Sequence, residues 1–203
     1  MQESILNQTG PTAAMNVAVL ALRLVEATLP HLSGLSRQVR MVETDRVSVA
    51  AVAASGLTLI NPAVFCRLTV PDAMYIIAHE LMHLALDTHA RAGEADRLTV
   101  NIAHDYIIND MLSDELHRIP PLGGLYEVGA SEQSLEDWIV QLRQSGTEGL
   151  NCWRDDLLMT QTKSPRSALS RALLEAGLVS PEEADPTITT IHSTWLGDRR
   201  FDR

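Results

Sequence analysis

The sequence predicts an α+β fold. A small sheet packs on a long helix carrying His79-Glu80-x-x-His83, a second helix returns antiparallel to the first, and the rest is mostly helical. Three observations carry this expectation. Residues 13–29 repeat apolar side chains at helical spacing. Residues 39–60 change to short β-branched runs punctuated by Gly56. Two long helical segments then lie on either side of Gly93, the first of them holding both histidines.

Each element has its own signal. Met15, Val19, Leu22 and Val25 fall on one helical stripe, and Pro30 ends it. Val39, Met41, Val47 to Ala53 and Leu57 to Ile60 read as two or three short strands, the last closed by Asn61-Pro62. A short helix is expected from Pro62 to Leu68. Thr69 can cap the next helix, Pro71 suits its first turn and Asp72 complements its dipole. That helix is expected to run to about Ala92, with Gly93 as its C-cap. Glu94 to Asp96 open another, which continues through Val100, Ile102, Tyr106 and Leu112 to about His117. Ser134 caps a helix with Trp138, Ile139 and Leu142 on one face, and a last helix is expected over about 167–178. The domain reading is one unit over 1–145. Residues 146–203 are read as a helical extension or lid, or as the lead into a further domain.

Composition narrows the function classes. The 203 residues are 45% apolar and 21% charged, ordinary for a globular chain with a sizeable core. The 26 acidic and 16 basic side chains leave a formal charge of −10, which argues against a nucleic-acid partner. Cys66 and Cys152 are too few for a disulfide framework or a cysteine zinc knuckle and suit a reducing compartment. No basic n-region followed by an apolar stretch opens the chain, and Val47 to Ile60 is too short to span a membrane. The expectation is a soluble cytoplasmic protein of bacterial type with no membrane partner.

His79 and His83 lie one helical turn apart on one face, so their imidazoles can converge on one ion. Glu80 lies beside that face, placed to take a proton from a metal-activated water. A catalytic metal needs a third protein ligand. His89 has the metzincin third-histidine spacing, but Leu86 stands where that pattern has a turning glycine. With the helix continuing through Asp87 and Thr88, His89 would lie roughly 15 Å along the axis from His79. An antiparallel return about Gly93 instead brings residues 103–107 opposite the pair, offering His104 and Asp105, with Asp105 the preferred ligand. Two histidines and a carboxylate suit Zn2+. Asn109, one turn further, is either an outer partner of a ligand histidine or a surface residue. Tyr126 is either an oxyanion donor or a packing residue, and Arg91 is assigned to the helix end. Leu57 to Ile60 is either an edge strand on which a peptide could add or an ordinary core strand.

Three stretches together resemble a known family: Leu57-Thr58-Leu59-Ile60-Asn61-Pro62, then Ala78 to Leu86 around the paired histidines, then Asn101-Ile102-Ala103-His104-Asp105-Tyr106-Ile107-Ile108-Asn109. They look like the metallopeptidase-type domain of bacterial proteins that carry a C-terminal von Willebrand factor A-like domain and accompany a MoxR-type AAA+ ATPase. The resemblance spans roughly Val47 to Leu142. It implies a zincin fold, zinc, a peptide or protein substrate, and Asp105 rather than His104 as ligand, because His104 stands at a variable position of the pattern. It also implies an AAA+ ATPase and a von Willebrand factor A-like protein or domain as partners, although no stretch of this chain reads as the latter. The expected activity is hydrolysis of peptide bonds with Glu80 as general base. The rival is a catalytically silent metal-binding scaffold that regulates such an ATPase or another protein partner.

Overall fold

The computed structural model describes residues 11–91 and 95–146. The order is α1 (Ala13–Thr28), a 3-10 turn (Pro30–Leu32), α2 (Ser33–Ser36), β1 (Arg40–Glu43), β2 (Ala50–Val52), β3 (Leu57–Ile60) and α3 (Pro62–Phe65). Then come α4 (Val70–Ala85), α5 (Thr88–Arg91), α6 (Arg97–Leu116), turns at Pro121–Gly123 and Ala130–Glu132, and α7 (Leu135–Ser145). The fold is α+β, mostly helical, with one small sheet. No single helix among the described residues is long and apolar enough to cross a membrane.

The helix starts follow from side-chain caps that satisfy orphan backbone N–H groups. Thr12 accepts from Met15 N, Thr69 from Asp72 N, Asp96 from Thr99 N and Ser134 from Asp137 N. Asn61 does two jobs where the sheet ends. Its Oδ1 accepts from Ala63 N at 2.9 Å to start α3, and its Nδ2 donates to Val47 O at 2.7 Å.

The sheet order is β1-β3-β2, with β1 parallel and β2 antiparallel to β3. Leu57–Ile60 is therefore the central strand, buried along its whole length. Both of its edges are paired, so the alternative in which a peptide adds to it is ruled out. Sheet, α1 and α4 share one apolar core that also takes Ile108 and Leu112 from α6. A second core joins Val100, Ile102, Ala103 and Ile107 of α6 to Leu125, Trp138, Ile139 and Leu142. Helix α6 is thus apolar on two sides and keeps a polar seam between them. Helix α4 is enclosed more completely: every residue from Ala73 to Leu84 is buried, as expected of a helix that is apolar nearly all round.

One boundary differs from the sequence expectation. Helix α4 does not run to Ala92; it ends at Ala85, and Asp87 turns the chain with φ 53°. Aspartate is among the few non-glycine residues that tolerate this left-handed conformation, so a turn forms without the glycine of the metzincin pattern. The expected cap at Gly93, the start at Glu94 and the helix over 167–178 lie outside the described residues, as does the proposed extension beyond 146.

Candidate metal centre

The chain returns antiparallel, as the contacts between α4 and α6 record. Tyr75 Oη donates to Asn109 O at 3.0 Å, His79 faces Asn109 and Asp105, and His83 faces Asp105. His79 Nε2 and His83 Nε2 are 3.0 Å apart, and Asp105 Oδ1 lies 3.5 and 3.6 Å from them. Ligand bonds of about 2.0–2.1 Å in a tetrahedral array put donor atoms about 3.3 Å from one another. These three atoms therefore have the spacing of a metal-binding set. The two rings stand nearly perpendicular, at 81°, with their Nε2 atoms brought together.

Hydrogen bonds behind the rings fix which nitrogens are available. Asn109 Nδ2 donates to Leu125 O at 2.8 Å, which turns its Oδ1 toward His79 Nδ1, 2.9 Å away. Oδ1 can only accept, so Nδ1 carries the proton and Nε2 presents its lone pair inward. His83 Nδ1 lies 3.2 Å from Thr88 Oγ1, and the same hydroxyl makes a short hydrogen bond with His104 Nδ1. A cation held by both Nε2 atoms requires His83 Nδ1–H to donate to Thr88. The Thr88 hydroxyl then donates to His104 Nδ1. An outer partner of this kind contributes about 10- to 100-fold to metal affinity. Asn109→Leu is accordingly expected to weaken binding of a divalent metal by about 10- to 100-fold. Competition with a chromophoric chelator measures this, and an unchanged affinity would remove Asn109 from that role.

Electrostatics favour the same occupant. Burial pushes His83 down to about 4 and His104 down to about 2, so both are neutral donors at neutral pH. Burial works to raise the Asp105 pKa, but its contacts with His79 and His83 outweigh that and hold it below the usual carboxylate value. A carboxylate buried against the two imidazoles, 1% exposed, is a poor arrangement in a low-dielectric interior unless a cation completes it. The residues present fit a divalent metal with nitrogen and oxygen ligands.

The other sequence candidates fall in different places. Glu80 is buried on α4 next to His79. His89 follows the turn at Asp87, and its Nε2 donates to Val52 O of β2 at 3.1 Å; it is not one of the three grouped donors. The continuous helix that placed it 15 Å away does not exist; the contact with β2 now accounts for its position. His104 sits behind Thr88 rather than in the cluster. Tyr126 is 39% exposed, one residue beyond the Leu125 carbonyl that orients Asn109. Arg91 pairs with Glu136 at 3.0 Å, tying α5 to α7. Sequence reasoning missed Thr88, whose only signal is its place after a residue able to turn left-handed. It also missed Asp110, which holds the returning loop through Gly129 N and Ser131 N at 3.1 and 3.0 Å.

The described residues thus form a mostly helical α+β domain with a buried His-His-Asp cluster spaced to hold a metal ion. Residues 15–144 match the family described as "Putative metallopeptidase domain", well over half of the chain, and the chain belongs to that family. The match includes α1, beyond the stretch whose motifs carry the resemblance. No curated protein and no solved structure matches.

Proposed function

We propose that this protein is a zinc metallopeptidase that hydrolyses peptide bonds, with His79, His83 and Asp105 holding the metal and Glu80 as general base. The observation that supports the reading is the close grouping of two Nε2 atoms and one carboxylate oxygen, two of them from the helix that also carries buried Glu80. Bound there, zinc supplies Lewis acidity toward the scissile carbonyl and a water of lowered pKa. Glu80 takes the proton from that water and passes it to the leaving amine nitrogen. Asn109 and Thr88 keep both imidazoles turned with Nε2 inward. The zincin relationship is part of this proposal and rests on the His79-Glu80-x-x-His83 helix.

Elemental analysis tests it. The wild type and His89→Ala are expected to hold about one zinc per chain and Asp105→Ala to lose it, since three protein ligands are the norm for such a site. Zinc retained by Asp105→Ala, or lost in His89→Ala, would break the ligand assignment.

A second reading has one observation in its favour. His79, His83, Asp105 and Glu80 are each at most 1% exposed, so a peptide reaches them only after the surrounding chain moves. In that reading the centre is a silent scaffold for a MoxR-type AAA+ ATPase or a von Willebrand factor A-like protein, as the family resemblance implies. Glu80 separates the two readings, because a scaffold has no use for a general base.

A further inference from the structure

On α6, Asn101, His104 and Asp105 stand at positions i, i+3 and i+4, so their side chains leave one face within about a turn. All three are buried, Asn101 at 2% and His104 at 0%. Each carries polar atoms with no hydrogen-bond partner among the described residues. These are Oδ1 and Nδ2 of Asn101, Nε2 of His104 and Oδ1 of Asp105. The metal reading accounts for Asp105. It leaves Asn101 and His104 unexplained.

Buried polar groups in native proteins are nearly always paired, and each exception calls for a cause. An amide that served packing alone would be replaced at a gain by an apolar residue of its size, because both of its hydrogen-bonding ends are desolvated without return. Asn101 lies four residues before Asp105, about 6 Å along the helix axis, so its neighbourhood is that of the metal cluster. The chemistry offered is specific. Asn101 brings one donor and one acceptor. His104 adds a donor at Nε2, since the Thr88 hydroxyl occupies its Nδ1 lone pair. A peptide amide presents the complement, one acceptor at its carbonyl and one donor at its N–H. The central strand β3, paired on both sides, cannot make these bonds.

We propose that Asn101 and His104 form a subsite beside the metal that hydrogen-bonds the main chain of a peptide substrate next to the scissile bond. The inference rests on the metallopeptidase reading. Both side chains are substrate-positioning groups, and neither takes part in the proton transfers assigned to Glu80.

The test compares two probes on zinc-loaded protein by titration calorimetry. Acetohydroxamate offers a metal-binding group alone; the dipeptide hydroxamate Leu-Leu-NHOH adds one main-chain amide. In Asn101→Leu the dipeptide hydroxamate is expected to bind about tenfold or more weakly, the scale of one lost hydrogen bond. Acetohydroxamate should bind as in the wild type, and Tm should hold or rise. Where Asn101→Leu does not fold, Asn101→Ala removes the same hydrogen-bonding groups with less bulk and reads the same ratio. Equal affinities of wild type and variant for the dipeptide probe would mean that Asn101 serves only the interior or a bound water, and the subsite would be rejected. A parallel loss of both probes with a lowered Tm would make it a structural residue. Failure of both hydroxamates to bind the zinc-loaded wild type would overturn the metallopeptidase reading and the subsite with it, whereas failure of the dipeptide probe alone would overturn only the subsite.

Discussion

Glu80→Gln is expected to lower kcat on a peptide substrate by about 100- to 10,000-fold, the usual contribution of a positioned general base. Zinc content should stay at the wild-type level. The substitution keeps the shape of the side chain and removes only its ability to accept a proton. His79, His83 and Asp105, the groups that converge within ligand distance of one another, are left in place. Exchange of a buried carboxyl for a neutral amide does not create a new unpaired charge, so the fold is expected to survive. The informative measurement pairs peptide hydrolysis with elemental analysis on the same preparation. Wild-type activity in a zinc-replete Glu80→Gln would end the general-base assignment. A zinc-replete wild type that is inactive on a broad peptide library would favour the scaffold.

Much of the fold was readable because the signals were local. Thr69, Asp96 and Ser134 announce helix starts through their own side chains, and the three cap as their residue types suggest. The β-branched runs before Asn61 gave the strands but not their order. A strand's neighbours are decided by the crossover between them, so Leu57–Ile60 could be placed in the sheet from sequence but not at its centre. The end of α4 was missed for a different reason. The apolar pattern through Leu86 continues a helix, and Asp87 breaks it in a conformation that aspartate can adopt but does not advertise.

The centre divides in the same way. His79, Glu80 and His83 are visible from spacing on one helix. Asp105 follows from counting equal distances on either side of a reversal, and the count holds although the helix is broken at Asp87, because Thr88–Arg91 adds back a turn before α6 begins. Thr88 and the Leu125 carbonyl were not visible. The one reaches His83 only because the chain turns at Asp87, and the other is a backbone atom whose position depends on a loop held by Asp110.

Stripped of metal, the protein is expected to lose stability as the pH falls from about 6.5 toward 4, the interval between the ordinary and the folded pKa of His83. His83 drops to about 4 and His104 to about 2, both chiefly because burial disfavours the charged form. The folded chain therefore leaves both rings neutral in this window while the unfolded chain protonates them. The unfolded state binds more protons, so stability rises with pH and falls with acid. At 1.36 kcal/mol per unit, about 2.5 units cost roughly 3 kcal/mol for each ring by pH 4, or roughly 6 together. That is a large share of the roughly 5–15 kcal/mol that holds a typical domain. Asp105, held below its usual value, adds its own loss only at lower pH still. Zinc opposes this by binding the folded state alone, and saturating metal at 1,000 times Kd contributes about 4 kcal/mol. Urea unfolding from pH 4 to 8, with EDTA and with zinc, measures both effects. In EDTA the midpoint should fall steeply below pH 6.5, and added zinc should move the fall to lower pH. A flat profile in EDTA would mean that these imidazoles are solvated rather than enclosed. A fall that zinc does not move would mean that the three donors on α4 and α6 do not hold the metal.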